Sequence, residues 1–186
     1  MNTHHPKVAV IVGSLRELSY NRRLGRAIAR LAGDRLSCDF VGIGDLPLYS
    51  QDFDADYPET CRRFKRQIEA ADAVLIVTPE YNRSMPGVLK NALDIGSRPW
   101  GSNSFAGKPA AVIGASPGAP GTSMAQAHVD NVMLYLGTRL MGQPEVYLKV
   151  DETTIDMEGE VGDERTREFL GKFVDAFIAW IDEQRD

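Results

Sequence analysis

Four polar side chains near the start of the chain are spaced so that they could bind an anion. They are Ser14, Arg16, Ser19 and Asn21, and they follow a continuous apolar run at residues 8–12. A continuous run is typical of a buried parallel strand, and helical periodicity follows residue 21. The start of a helix presents unpaired N–H groups and the positive end of the helix dipole. Hydroxyls, an amide and a guanidinium at this point therefore predict a phosphate-binding loop.

This loop lacks the glycine patterns of two common nucleotide sites. The sequence contains no G-x-x-x-x-G-K-[ST] stretch, which excludes a P-loop, and no G-x-G-x-x-G dinucleotide fingerprint. The alternative interpretation is that Ser19 or Asn21 does no more than cap the helix. The convergence of four such side chains on one loop favours phosphate binding.

Two further loops have unusual compositions. The stretch at residues 78–94 reads TPEYNRSMPGVLKNALD and follows a third apolar run, and residues 115–122 are rich in Gly and Pro. Each residue also has a simpler interpretation: Pro79 ends a strand, Glu80 is a solvated charge, and Asn82 holds a turn.

The elements that position these loops alternate between strands and helices. Apolar runs predict strands at residues 8–12, 36–43, 73–77, 110–114 and 145–150. Helical patterns separate them, and a last helix at residues 163–182 is expected to bury Phe169, Phe173, Phe177 and Trp180. This alternation predicts an α/β fold: a flavodoxin-like doubly wound five-stranded parallel sheet, order 2-1-3-4-5, with helices on both faces. The three unusual loops would then meet at the carboxyl edge of the sheet, where such folds bind ligands.

The composition predicts one domain over residues 1–186, with a disordered start at 1–6 and a mobile acidic connector at 151–162. A net charge of -5 argues against binding to nucleic acid or to acidic membranes. Cys38 and Cys61 lack C-x-x-C spacing and form no cluster with the histidines, so we expect no metal site and no disulfide. These features, with no apolar run of transmembrane length and no signal peptide, predict a cytoplasmic protein.

By its loops, the sequence resembles the NADPH-dependent FMN reductase family, most closely its chromate and quinone reductase branch. The matching segments are residues 13–24, 46–52, 78–94, 97–99, 107–116 and 143–145. The resemblance implies non-covalently bound FMN, with its phosphate on Ser14, Arg16, Ser19 and Asn21. The flavin ring contacts that it implies are Pro79, Glu80, Tyr81, Asn82, Ser116 and Gly118.

The activity that the resemblance implies is transfer of a hydride from NADPH or NADH to N5 of FMN. A quinone, azo compound, chromate or free flavin would then accept the electrons in a ping-pong cycle. No catalytic side chain is required, because the cofactor supplies the chemistry. The resemblance also implies a homodimer or homotetramer. Tyr49 and Asp52 would lie near a subunit contact. Separately from the resemblance, Arg83 and Arg98 could attract the extra phosphate of NADPH, and either is equally compatible with a solvated surface charge.

Two other functions are compatible with the same fold. A flavodoxin-type electron carrier would bind FMN but receive electrons from a protein partner. A non-catalytic module would bind flavin without turnover or lack flavin altogether.

Overall fold

The computed structural model describes residues 5–184. Of the start that we expected to be disordered, residues 1–4 lie outside the described residues. Pro6 is buried, and its carbonyl accepts a hydrogen bond from the Ser37 N–H at 2.9 Å. The chain is therefore joined to the sheet immediately before its first strand.

A parallel sheet forms the centre of the fold. Its strands are β1 (Lys7–Val12), β2 (Ser37–Phe40), β3 (Ala73–Val77), β4 (Pro109–Ser116), β5 (Arg139–Leu140) and β6 (Tyr147–Lys149). The order is β2-β1-β3-β4-β5, and β6 also pairs with β4. All of these pairs are parallel. The predicted flavodoxin-like order is thus confirmed.

Helices cover both faces of the sheet. They are α1 (Tyr20–Ala32), α2 (Glu59–Glu69), α3 (Gly87–Gly96), α4 (Ser123–Tyr135) and α5 (Glu164–Glu183), with 3-10 turns at Gly33–Arg35 and Gln51–Ala55. Side chains alternate across β1: Val8, Val10 and Val12 join the core beneath α1 and α5, whereas Ala9 and Ile11 join the core beneath α2, α3 and α4. Burial on both faces explains why β1 and β3 are continuous apolar runs.

The fifth strand differs from its predicted form. Instead of one strand at residues 145–150, β5 pairs with the start of β4 and β6 pairs with its end. The segment between them contains Gly142 and Pro144, and proline has no N–H to donate to a ladder. This interruption lets the short strands β5 and β6 pair with different parts of the long strand β4.

The acidic segment 151–162 is packed against α1 rather than mobile as expected. Ile155 and Val161 form a β-bridge and are buried in the core. The Arg23 guanidinium donates to the Ile155 carbonyl at 3.2 Å, and Arg26 donates to the carbonyl of Met157. Arginines of α1 thus fix the segment that the sequence suggested was a loose connector.

The last helix also differs in detail. Phe173 and Phe177 are buried, but Phe169 is 38% exposed. Trp180 is half-buried, and its indole N–H donates to the Arg139 carbonyl at 2.8 Å. The buried stripe therefore begins at Leu170 and ends at Ile181, one residue later at each end than predicted.

Candidate active site

Three loops meet at the carboxyl edge of the sheet, as the topology requires. The Gly13 N–H donates to the Val77 carbonyl at 2.9 Å, which joins the loop after β1 to the end of β3. The Thr78 N–H donates to the Ile113 carbonyl at 2.9 Å, which joins the loop after β3 to β4. The loops that carry the candidate residues therefore form one continuous surface.

The loop after β1 has the features of an anion site. Ser14 and Ser19 are 4% and 3% exposed, and the Ser19 hydroxyl caps α1 by accepting from the Arg22 N–H at 3.4 Å. Within residues 5–184, the backbone N–H groups of Tyr20 and Asn21 donate to no protein acceptor. Two N–H donors at a helix start are suited to phosphate oxygens.

Arg16 is the cation of this loop. Its side chain is exposed and makes no hydrogen bond or ion pair within the described part of the chain. Its backbone N–H donates to the Ser14 hydroxyl oxygen at 3.3 Å. The guanidinium therefore remains available to a ligand anion.

The side chain of Asn21 joins the start of α1 to β4. Its amide nitrogen donates to the Ala115 carbonyl at 2.9 Å, and its amide oxygen accepts from the Ala115 N–H at 2.9 Å. The side chain is 2% exposed. The amide oxygen and one N–H of the amide nitrogen are engaged by β4, so Asn21 positions the loop, and its contact with a phosphate stays a prediction.

The loop after β3 is a tight hairpin. Tyr81 and Ser84 exchange backbone hydrogen bonds of 2.9 and 3.0 Å. Between them, Asn82 and Arg83 have φ values of 52° and 64°. Tyr81 is 47% exposed, so its ring is free to contact a ligand or a second chain. Pro79 precedes this hairpin, and its carbonyl accepts from the Thr78 hydroxyl at 2.8 Å.

Glu80 is a helix cap rather than a solvated charge. One oxygen of its carboxylate accepts from the N–H groups of Met124 and Ala125 at 3.1 and 3.2 Å. Thr122, the N-cap residue of α4, forms no side-chain cap of its own. A carboxylate at this position satisfies two orphan donors and the helix dipole. The contact fixes the hairpin against α4.

The loop after β4 supplies the third side of the site. The Ser116 hydroxyl accepts from the Gly118 N–H at 3.1 Å. A Cβ built on Gly118 would meet no atom closer than 3.4 Å, so the protein itself does not require glycine at this position. Gly121 does require it, because its φ is +62° and a Cβ would lie 2.9 Å from the Tyr147 carbonyl carbon.

Sequence reasoning missed three residues that pack together beneath these loops, and they are Gly114, Thr122 and Gln126. A Cβ on Gly114 would lie 2.0 Å from the Thr122 hydroxyl oxygen and 2.3 Å from the Thr78 carbonyl oxygen. Gln126 is 3% exposed and donates to both Thr122 and the Val146 carbonyl at 2.8 Å. The sequence did contain a signal for this contact, the single glycine inside the apolar strand β4. Glycine within a strand marks a place where another part of the chain approaches the backbone closely.

These features fit the FMN expected from the sequence. A buried pair of serine hydroxyls, two unpaired N–H groups and an unpaired arginine suit a phosphate monoester. The residues that would hold the phosphate are Ser14, Arg16 and Ser19, and residues 79–82 and 116–118 would flank the ring.

A groove of about 650 Å³ lies between the C-terminal halves of α3 and α4 and the loop after α3. The Arg98 guanidinium lies 5.9 Å from the Tyr49 ring centre and 5.8 Å from the Trp100 ring centre. The Asn91 amide holds the loop of Tyr49, accepting from its N–H and donating to the Pro47 carbonyl, each at 2.9 Å. Trp100 is 80% exposed and Asp52 faces solvent, so neither is part of the buried site.

One carboxylate on α4 has a clearly perturbed pKa. Burial, followed by the charge of Glu145, raises the pKa of Asp130 to about 6. Burial and a hydrogen bond with Glu145 raise the pKa of Tyr147 to about 12. Within residues 5–184 no group of His, Cys, Asp and Glu could hold a metal ion, and no helix is long and apolar enough to cross a membrane.

The chain is similar to known reductases along nearly its whole length. The profile of the NADPH-dependent FMN reductase family matches residues 6–153. A 2-hydroxy-1,4-benzoquinone reductase of a Burkholderia species is 57% identical over 96% of this chain and 98% of that protein. A quinone reductase of Pseudomonas putida is 49% identical over 94% of each chain.

A solved structure agrees with this assignment. The NAD(P)H:acceptor oxidoreductase FerB of Paracoccus denitrificans superposes with a TM-score of 0.93 at 50% identity, covering 96% of this chain and 98% of that one. Membership in this group confirms the expected enzyme class, an oxidoreductase that uses FMN and NAD(P)H. The chain belongs to the NADPH-dependent FMN reductase family.

Proposed function

We propose that this chain is a quinone reductase that moves electrons from NAD(P)H through FMN bound at the carboxyl edge of the sheet. The observation that carries the proposal is the meeting of the phosphate-type loop at the start of α1 with the hairpin after β3. One loop would hold the FMN phosphate and the other would border the ring. When bound, FMN supplies the hydride chemistry, which explains why no side-chain acid or nucleophile is required.

The residues of the chain bind and orient. Arg16 would offset the charge of the phosphate, Ser14 and Ser19 would donate hydrogen bonds to it, and the start of α1 adds its dipole. Asn21 holds that helix start against β4, and Glu80 holds the hairpin against α4. The ring-bordering backbone is thereby fixed from both sides, so its N–H groups are placed before a ligand arrives.

The proposed acceptors are quinones, and hydroxylated benzoquinones are included because the Burkholderia relative bears that name. Azo compounds, chromate and free flavin are proposed as further acceptors at the same open face. In the proposed ping-pong cycle, FMN held by Ser14, Arg16 and Ser19 would supply hydride transfer from the reduced dinucleotide, and the oxidised dinucleotide would leave before the acceptor binds.

We further propose that the enzyme is a cytoplasmic homodimer or homotetramer. Exposed apolar side chains along α4 and the loop after α3 support association: Trp100, Leu134 and Tyr135 are 80%, 62% and 78% exposed. The two cysteines are free, which suits a reducing compartment. Light scattering should then give a multiple of 20.5 kDa, and Trp100→Ser with Tyr135→Ser should reduce the mass.

Steady-state kinetics test the proposed cycle. Initial rates with NADPH and 1,4-benzoquinone should give parallel double-reciprocal lines at several fixed quinone concentrations. Intersecting lines would contradict the ping-pong order. Bound flavin without NAD(P)H oxidation would instead favour an electron carrier, and failure to bind FMN would favour a non-catalytic module.

A further inference from the structure

The hairpin after β3 is held in a conformation that its residues do not favour. Asn82 and Arg83 are the non-glycine residues with positive φ within the described part of the chain, at 52° and 64°. Both central residues of a two-residue hairpin have positive φ in a type I′ turn, where Asn suits the first position and Gly the second. Arginine at the second position destabilises this turn relative to glycine.

Contacts outside the turn maintain this conformation. Glu80, before the hairpin, is bonded to two N–H groups of α4. Ser84, at its end, makes a hydrogen bond of 2.9 Å between its hydroxyl and Nδ1 of His128, also on α4. Strained backbone that its surroundings hold in place is a feature of functional sites. In this hairpin the residue held in the strained conformation is Arg83.

The charge of Arg83 has no partner among residues 5–184. Most arginines in this chain are satisfied: Arg35 pairs with Asp175, Arg63 with Asp45, and Arg66 with Glu59. Four arginine side chains make no hydrogen bond, ion pair or ring contact with described residues, and they are Arg16, Arg22, Arg83 and, on α5, Arg165. The first two belong to the phosphate-type loop and its helix, and the third lies on the hairpin at the same sheet edge.

We propose that Arg83 is a specificity-determining residue whose guanidinium binds an anionic group of the substrate at the open face of the flavin site. This inference rests on the proposed reductase function. The chain carries a net charge of -5, so its overall field repels anionic substrates, and a local cation is required to attract them. The anionic group is either a phosphate of the reduced dinucleotide or the oxyanion of an ionised hydroxyquinone.

Anaerobic stopped-flow kinetics on the FMN-loaded protein distinguish these two sources. The reductive arm compares NADPH with NADH, and the oxidative arm compares ionised 2-hydroxy-1,4-benzoquinone with uncharged 1,4-benzoquinone. The variants are Arg83→Gly, which removes both charge and strain, and Arg83→Lys, which keeps the charge. Arg165→Gln, an exposed arginine of α5, controls for the loss of one positive charge elsewhere.

For Arg83→Gly we expect the half-saturating concentration of the anionic partner to rise roughly twofold to fivefold, the effect of one exposed charge contact. Arg83→Lys should retain most of the affinity, and Arg165→Gln should behave like the unmodified protein. A larger effect on NADPH than on NADH identifies the 2′-phosphate, and an equal effect identifies the pyrophosphate. An effect confined to the ionised hydroxyquinone identifies the oxyanion of the acceptor as the group that Arg83 binds.

Two measurements independent of turnover complete the test. Titration of the oxidised protein with NADP⁺, followed by flavin absorbance, measures binding directly, and thermal unfolding of Arg83→Gly should show a raised Tm because glycine relieves the turn. Unchanged affinities in every arm, or equal losses for the Gly and Lys variants, would overturn the role of the charge. Failure of the unmodified protein to accept electrons from NADPH would refute the proposed function instead.

Discussion

Replacement of Asn21 by alanine tests how the phosphate-type loop is positioned. The substitution removes both hydrogen bonds to Ala115 and leaves a buried N–H and a buried carbonyl without partners. Each unsatisfied group costs about 1–3 kcal/mol, and water entering the vacated space reduces the total, so we expect a loss of about 3 kcal/mol. For a domain of this size that corresponds to a Tm lower by about 6–12 °C.

The same substitution should weaken FMN binding. The helix start that presents the Tyr20 and Asn21 N–H groups would no longer be fixed to β4, so the ligand must order it. We expect the FMN dissociation constant to rise about tenfold, which equals about 1.4 kcal/mol. Urea unfolding of the flavin-free protein measures the loss of stability, and fluorescence titration with FMN measures the dissociation constant.

Asn103 offers a matched control at the other end of β4. Its amide donates to the Leu136 carbonyl at 2.7 Å and accepts from the Phe105 N–H at 3.0 Å, an equivalent pair of contacts. Asn103→Ala should therefore lower stability without changing FMN affinity. The reasoning is refuted if Asn21→Ala lies within about 0.5 kcal/mol of the unmodified protein, a typical surface effect. It is also refuted if both variants weaken FMN binding equally.

Three further substitutions test other parts of the site. Glu80→Gln removes the charge that caps α4 and should lower stability by about 0.5–2 kcal/mol in urea unfolding, and an unchanged value would contradict the capping role. Gly114→Ala should lower stability by several kcal/mol, about 3 or more, because its Cβ would overlap the Thr122 hydroxyl, whereas Gly171→Ala on open helix surface should not destabilise. Asp130→Asn should raise Tm clearly more at pH 7.5 than at pH 4.5. The folded pKa near 6 is above the usual 3.8, so the carboxyl favours folding when protonated, and that stability is lost as pH rises through 6. The gain in the free energy of unfolding at pH 7.5 is on the order of 1 kcal/mol because water screens a half-buried group. Equal gains at both pH values would contradict this role of the Asp130 charge.

The sheet and its order were predictable because buried parallel strands have a local signature. The run at residues 73–77 is apolar throughout, and β3 has those bounds in the structure. The position of the three loops then follows from topology alone, since the carboxyl ends of parallel strands share one edge. Ser14 and Ser19 lie between β1 and α1, as the sequence predicted, and their contact with phosphate stays a prediction.

The partners of the site residues were not predictable because they are distant in sequence. The side chain of Asn21 meets Ala115, 94 residues away, and Glu80 meets the start of α4, 44 residues away. Local pattern cannot distinguish an amide that binds a phosphate from one that joins a helix to a strand. The segment 151–162 was misjudged for the same reason, because the arginines that fix it belong to α1.

The visible spectrum of the FMN-loaded protein, recorded without oxygen before and after addition of NADPH, tests the proposed reductase function most directly. We expect flavin bands that bleach on addition of NADPH and return when 1,4-benzoquinone is added. Bands that persist with both NADPH and NADH would contradict a reductase, and their absence after incubation with FMN would contradict the flavin site itself.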